Sequence, residues 1–244
     1  MPADGFVPGN RLLAMLPADI LELLKPELET VPLRNRDVIQ RIGRQAEHVY
    51  FPHSGMGSIV IHMQRGVNVE AATVGHEGML GLQYVLGDTL ATEETMIQLP
   101  GEASRLRIRV LRAEFDRDDR LRTLLLQYAQ LLMGQIAQGA ACNRLHPIDA
   151  RCARWLLSTH DRVEGDTFPL TQDFLALMLG VRRAGVSVTQ QALQQDGLIN
   201  YSRGMVTIYD RPGLEAIACE CYGVIRDRFE RFGSGSAANA EGSG

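Results

Sequence analysis

Arg182 and Arg183 stand side by side in the C-terminal third of this chain, and Ser187, Gln190 and Gln191 follow within nine residues. A guanidinium offers its donors in a rigid fork that fits phosphates and the O6/N7 edge of guanine. A glutamine amide both donates and accepts, as the edge of adenine requires. Such groups read nucleic acid when a helix carries them into a groove, so the flanking elements matter. The stretch QDFLALMLGVRRAGVSVTQQ (172–191) reads as a helix, a sharp turn and a second helix. Leu175, Ala176 and Leu179 repeat at helical spacing, and Val186 and Leu193 carry an apolar face onward. Small Ala176 lets the second helix approach, Gly180 takes the positive φ at the end of the first, and Val186 plugs the gap between them. Thr171 is the expected N-cap of the first helix, with Asp173 favourable in its first turn. Thr171 and Gln172 therefore join the candidate DNA contacts. Beyond the second helix, Gly197–Tyr201 and Met205–Tyr209 are alternating apolar runs around Ser202-Arg203-Gly204, the signature of a β-hairpin. A hairpin in that position is a wing, and Arg203 at its tip is placed to meet a phosphate.

The bulk chemistry permits this reading without strengthening it. The chain has 244 residues, 45% of them apolar, and a formal net charge of −4. That length suits one large domain or two ordinary ones. Ten arginines face eleven acids between 147 and 232, so phosphate neutralisation must come from a local reading head, and modest affinity reinforced by pairing two heads is expected. Lys25 is the only lysine. No stretch of 18 apolar residues and no signal segment occurs, which leads to the expectation of a cytoplasmic protein with reduced thiols and no membrane partner. Of the four cysteines, Cys142, Cys152, Cys219 and Cys221, the last two are two residues apart and would diverge on a helix. The cysteines are therefore expected to be buried and structural, with no metal.

The organisation follows from texture. Arg11–Leu28 suggests two short helical pieces interrupted at Pro17 and Pro26. From Thr30 to Arg109 short β-type runs alternate with glycine, at 49–51, 58–62, 67–69, 72–74 and 95–97. This indicates an antiparallel barrel or roll. A proline-free helix is expected from Arg117 to Leu145. Leu121, Leu125, Tyr128, Leu132, Gln135, Gly139 and Cys142 follow four-three spacing, so a dimer seam of Leu121, Leu125, Tyr128, Leu132, Gln135, Ile136 and Gly139 is expected. Pro147 opens a further helix. One last helix is expected over Gly213–Phe232, then a small, polar, disordered tail at 233–244. The expected units are a β-roll (1–116), a dimerisation helix (117–146), a winged helix-turn-helix (147–232) and the tail.

In this order the chain resembles the bacterial CRP/FNR superfamily of transcription regulators. The stretches HVYFPHSGMGSIV (48–60), VGHEGMLG (74–81), QGAACNRLHPIDARCARWLL (138–157), LTQDFLALMLGVRR (170–183), GLINYSRG (197–204) and LEAIACECY (214–222) carry the resemblance. It implies an α+β chain: an N-terminal antiparallel β-roll of the cyclic-nucleotide-binding type, a long dimerisation helix and a C-terminal winged helix-turn-helix. It also implies a homodimer on two-fold double-stranded DNA, with RNA polymerase as a further partner. Arg183 falls where the family's receptor reads guanine. Ala184 and Val188 stand where it has a glutamate and a second arginine, so the half-site should differ.

The effector stays open. The family's nucleotide pocket needs an arginine for the cyclic phosphate, yet no Lys or Arg occurs between Gly66 and Ser104. A buried phosphodiester without a cation loses its compensation for desolvation, so cyclic AMP is disfavoured and the cofactor is either absent or an unknown small molecule. His48, His53, His62 and His76 leave haem as an alternative, and His76-Glu77 beside glycines is a weak candidate for a ligand-responsive turn. A winged head turned to protein contacts is a further alternative. No nucleophile elbow, phosphate-binding Gly-Lys-Ser/Thr loop or metal-binding His pair marks an enzyme, and no catalytic residue is expected.

Overall fold

The computed structural model describes residues 9–64, 68–87 and 90–241. Residues 1–8, Val67 of one expected strand run and the last three residues of the tail lie outside them. Two short helices, α1 (Arg11–Ala14) and α2 (Ala18–Leu24), are separated at Pro17, and a 3-10 turn at Lys25–Glu27 takes in Pro26. Seven strands follow: β1 (Glu29–Leu33), β2 (Val38–Gln40), β3 (His48–Pro52), β4 (Met56–His62), β5 (Asn68–Val74), β6 (Glu94–Leu99) and β7 (Gly101–Arg107). They form two antiparallel sheets, ordered β1-β7-β3 and β2-β6-β4-β5, with helix α3 (Leu82–Leu86) between β5 and β6. This is the expected roll. Leu33, Val74, Leu80, Ile97 and Ala103 pack together within it.

Helix α4 (Ile108–Arg117) ends where Asp118 caps α5 (Asp119–Leu145), its carboxylate accepting from the backbone N–H of Arg120 and Leu121. At 27 residues, α5 is about 40 Å long. The C-terminal unit comprises α6 (Ile148–His160), β8 (Thr167–Pro169), α7 (Gln172–Leu179), α8 (Arg183–Gln195), β9 (Ile199–Ser202), β10 (Met205–Ile208), α9 (Arg211–Ile217) and α10 (Cys221–Glu241). Its sheet is ordered β8-β10-β9.

Three sequence expectations need correction. The four-three stripe on α5 is not free for a partner. Leu121, Leu125 and Tyr128 are fully buried within the chain, Gln135 is buried, and Leu132 packs on the roll. The roll, the short N-terminal helices and Phe229 and Phe232 near the C-terminus supply the cover. The Tyr128 hydroxyl donates to Met79 O and accepts from Met79 N, Gln135 Nε2 donates to Thr73 O, and Gly139 faces Ala71 O. Only Ile136 of the expected seam remains on the open side, beside exposed Leu126 and Met133. Second, the last helix is two helices. The chain breaks at Ala218–Glu220, where Cys219 N donates to Ala150 O; a contact from another helix ends α9 where no proline or glycine would. Third, α10 runs on to Glu241 through the stretch expected to be disordered. Continuing an existing helix needs no new nucleus, and nothing after Phe232 is a proline.

The C-terminal unit docks on the roll. Met56, Val60 and Leu99 share one apolar core with Trp155, Leu156, Leu179 and Val186. Polar contacts reinforce the joint. The Trp155 indole donates to Glu70, and Arg162 forks onto Glu77, with Nη2 to Oε1 at 2.7 Å. Both partners of the second pair are buried. The turn that carries Glu77 is clamped from three sides, since Arg162 holds Glu77, Asn10 Nδ2 donates to Gly78 O and Tyr128 bonds Met79. Gly78 is required there because a Cβ would collide with the Tyr128 ring.

Candidate nucleic-acid interface

The reading head is built from local signals. The Thr171 hydroxyl caps α7 by accepting from Phe174 N at 3.2 Å. Gly180 ends α7 with φ 63°, and Val181 N reaches back to Ala176 O. This six-to-one hydrogen bond is the Schellman closure. Arg151, from α6, donates to the last α7 carbonyl, Leu179 O. Buried Ala176 and Val186 fill the space between α7 and α8, as the small-turn-branched pattern requires.

Helix α8 then presents its N-terminus to solvent. Arg182 sits at the N-cap position and Arg183 opens the helix, both exposed. Arg183 is 64% exposed and pairs with Asp173 at 3.3 Å. Such a surface pair is worth little, so it orients the guanidinium without committing it. Gln191 is exposed, and Ser187 is half-buried within 3.5 Å of Gln172 Nε2. Exposed Ala184 and Val188 complete the outer face.

Gln190 departs from expectation. It is 2% exposed, and its amide faces inward. Val186, Thr189, Gln190 and Leu193 form the i, i+3, i+4, i+7 stripe that packs on the head, so Gln190 cannot reach a base without repacking. Composition alone does not reveal this; counting helical positions from Val186 does.

The wing is a tight hairpin in which Met205 pairs with Ser202 across Arg203-Gly204. Both turn residues have positive φ, 52° and 77°, the geometry of a two-residue hairpin turn. Arg203 is exposed at the tip. The candidate interface thus gathers Arg182, Arg183, Ser187, Gln191 and Arg203 in one head, with Thr171 and Gln172 at its edge.

The candidate ligand turn sits elsewhere. His76 and Glu77 line a cavity of about 380 Å³ with Arg11, Asp161, Arg211 and Arg226. Glu77 is already engaged: burial would raise its carboxyl, but the Arg162 guanidinium and the backbone N–H of Gly75 hold it at about 2. Glu77 is therefore a link between the roll and the head. His53 lies 2.7 Å from Ser104 Oγ, and His62 lies 3.3 Å from Glu94, so these rings already have polar partners.

Residues 150–217 match the family model of the Crp-like helix-turn-helix domain. A search of curated proteins returns no match. Among solved structures, FixK2 from Bradyrhizobium japonicum is similar at TM-score 0.68 and 14% identity, over 79% of this chain and 98% of that one. A putative CRP/FNR-family regulator from Eubacterium rectale gives 0.67 and 16%, over 83% and 94%. The c-di-GMP-responsive global regulator CLP of Xanthomonas campestris gives 0.63 and 16%, over 79% and 99%. The head of this chain is thus similar to the Crp-like helix-turn-helix domain, and the chain as a whole shares the fold of these solved regulators.

Proposed function

We propose that this protein is a sequence-specific DNA-binding transcription regulator that acts as a homodimer on a two-fold operator. The observation that carries this reading is the exposed, arginine-led N-terminus of α8 in a Crp-like head, with Arg203 projecting from the adjacent wing. In such a head the second helix enters a major groove, and two copies meet half-sites about one helical turn apart. Arg183 would read guanine bidentately, Ser187 and Gln191 would contact neighbouring edges, and Arg182, Arg203, Thr171 and Gln172 would position the backbone. RNA polymerase, recruited or blocked, is the further partner.

The dimer contact proposed is the open side of α5, not the stripe its sequence spacing suggests. Leu126, Met133 and Ile136 are exposed there, next to exposed Ala137, Ala140 and Ala141. Small residues let two helices approach closely, and the long apolar side chains between them gain from burial.

The effector we propose is not a cyclic nucleotide. Arg162, which the fold brings against the glycine-rich turn at 75–78, is already bound to Glu77. The cavity beside His76 is the place to seek a small molecule, because it borders both the roll and the head. Footprinting of genomic fragments with the purified protein tests the whole reading. Protected half-sites spaced by one helical turn are expected; no protection on any fragment at low salt would overturn it.

A further inference from the structure

Three cysteines and a histidine, distant in sequence, converge behind the reading head. Cys142 and His146 lie one turn apart at the end of α5, while Cys219 lies in the break between α9 and α10 and Cys221 opens α10. One donor atom from each of the four lies within 4.8 Å of all the others. All three thiols are buried, and the His146 side chain is mostly so. We propose that these residues form a four-coordinate zinc site of the Cys3His type.

The distances suit one ion. Zinc bonds of about 2.3 Å to sulfur and about 2.05 Å to nitrogen put the edges of a tetrahedron at about 3.8 Å for two sulfurs and about 3.6 Å for sulfur and nitrogen. Cys142 Sγ and Cys219 Sγ are 3.5 Å apart, and Cys221 Sγ is 3.6 Å from His146 Nδ1. The donor types suit zinc as well, for thiolates and an imidazole are its usual structural ligands. The surroundings supply what such a site needs. His146 offers Nδ1 to the centre while its Nε2 lies 3.1 Å from the Glu220 carboxylate, which would fix the ring and its tautomer. Gln138 Nε2 donates to Cys221 Sγ at 3.1 Å. Three thiolates around a divalent ion leave one net negative charge, and Arg154 acts on Cys142 in the opposite sense. Binding would release the thiol protons to solvent, so affinity should rise with pH.

The expectation of divergent thiols assumed one continuous helix through Cys219 and Cys221. The break at 218–220 turns both toward α5. Zinc would pin the end of the long helix to the start of α10, across the hinge at His146-Pro147 that leads into the head.

The test uses the full chain, purified under reducing conditions and dialysed against a weak chelator. One zinc per chain by elemental analysis is expected. Cobalt in its place should give the visible bands and thiolate charge-transfer absorption of a tetrahedral sulfur-rich site. His146→Ala and Cys221→Ser should each lose stoichiometric zinc, whereas Cys152→Ala, whose thiol lies in the separate apolar core, should retain it. Circular dichroism of the His146→Ala protein separates loss of the ion from loss of the fold. Metal-free protein with four titratable thiols would overturn the proposal. So would a Cys142–Cys219 disulfide, zinc retained by both ligand variants, or a metal other than zinc.

Discussion

Arg183 is the residue on which specificity should turn. Its guanidinium is free enough to leave Asp173 for a guanine edge, and a bidentate contact of that kind is worth roughly 1–3 kcal/mol. Arg183→Ala should therefore weaken binding to the cognate site by that amount in a fluorescence anisotropy titration, with little change on random DNA. Unchanged affinity would remove α8 from the groove. Gln190→Ala should leave base selectivity untouched, since Gln190 is buried. Two carboxylates at the joint between roll and head give opposite pH signatures. Glu77, held at about 2 in the folded chain against 4.5 ordinarily, contributes stability that is complete above about pH 4.5 and is lost as the pH falls through 2. The shift corresponds to something on the order of 3 kcal/mol. Glu77→Gln should thus be less stable at pH 7, with Arg162 left unpaired, yet its melting temperature should fall less steeply below pH 4.5. Burial pushes Glu70 up to about 7, against hydrogen bonds from Ser58 and Trp155. Its contribution is complete below about pH 4.5 and is lost as the pH rises through 7, so Glu70→Gln should gain stability relative to the parent above pH 7. Thermal melts across pH read both. The arginines and the wing tip were legible in the sequence because exposure follows from their charge. Glu70 and Glu77 were not, because their partners, Trp155 and Arg162, lie 85 residues away along the chain.

The elements that announce themselves locally are those the sequence reveals. Glycine-punctuated β runs became β3 to β6, and Ala176, Gly180 and Val186 specified the helix-turn-helix through short-range packing. Gly180 makes this measurable. At φ 63° an alanine is strained, and its Cβ would also meet Val69 Cγ2 at 3.2 Å. Gly180→Ala should cost about 1–2 kcal/mol, seen as a lower denaturant midpoint with an unchanged slope. A neutral result would mean that the turn relaxes and that α8 shifts with it. Elements fixed by long-range contact stay hidden. The break before α10 depends on a backbone contact to Ala150. No local pattern forecasts it, and so the meeting of Cys219 and Cys221 with Cys142 was invisible as well. Helix α5 shows the opposite failure: the heptad was real, but spacing alone does not say which surface it meets.

For the whole molecule the question is what covers the remaining side of α5. Its inner stripe is satisfied by the roll, while Leu126, Met133 and Ile136 stay in water, Met133 at 65% exposure. Fully burying a side chain of that size is worth about 1.5–3 kcal/mol, and a two-fold contact counts every residue twice. A carboxylate at the same point would be desolvated opposite its own copy. Met133→Glu should therefore convert a dimer into a monomer in sedimentation velocity while leaving the melting of the single chain nearly unchanged, since the position is mostly exposed within it. The consequence reaches DNA. With one head in place of two, about half the phosphate contacts disappear, and the slope of log affinity against log salt should fall by about half. Arg183→Ala should do the reverse, keeping the dimer and most of the salt slope but losing selectivity. A Met133→Glu protein that remains dimeric would place the contact on another surface. One that becomes monomeric yet keeps its full salt slope would mean that a single head makes all the phosphate contacts.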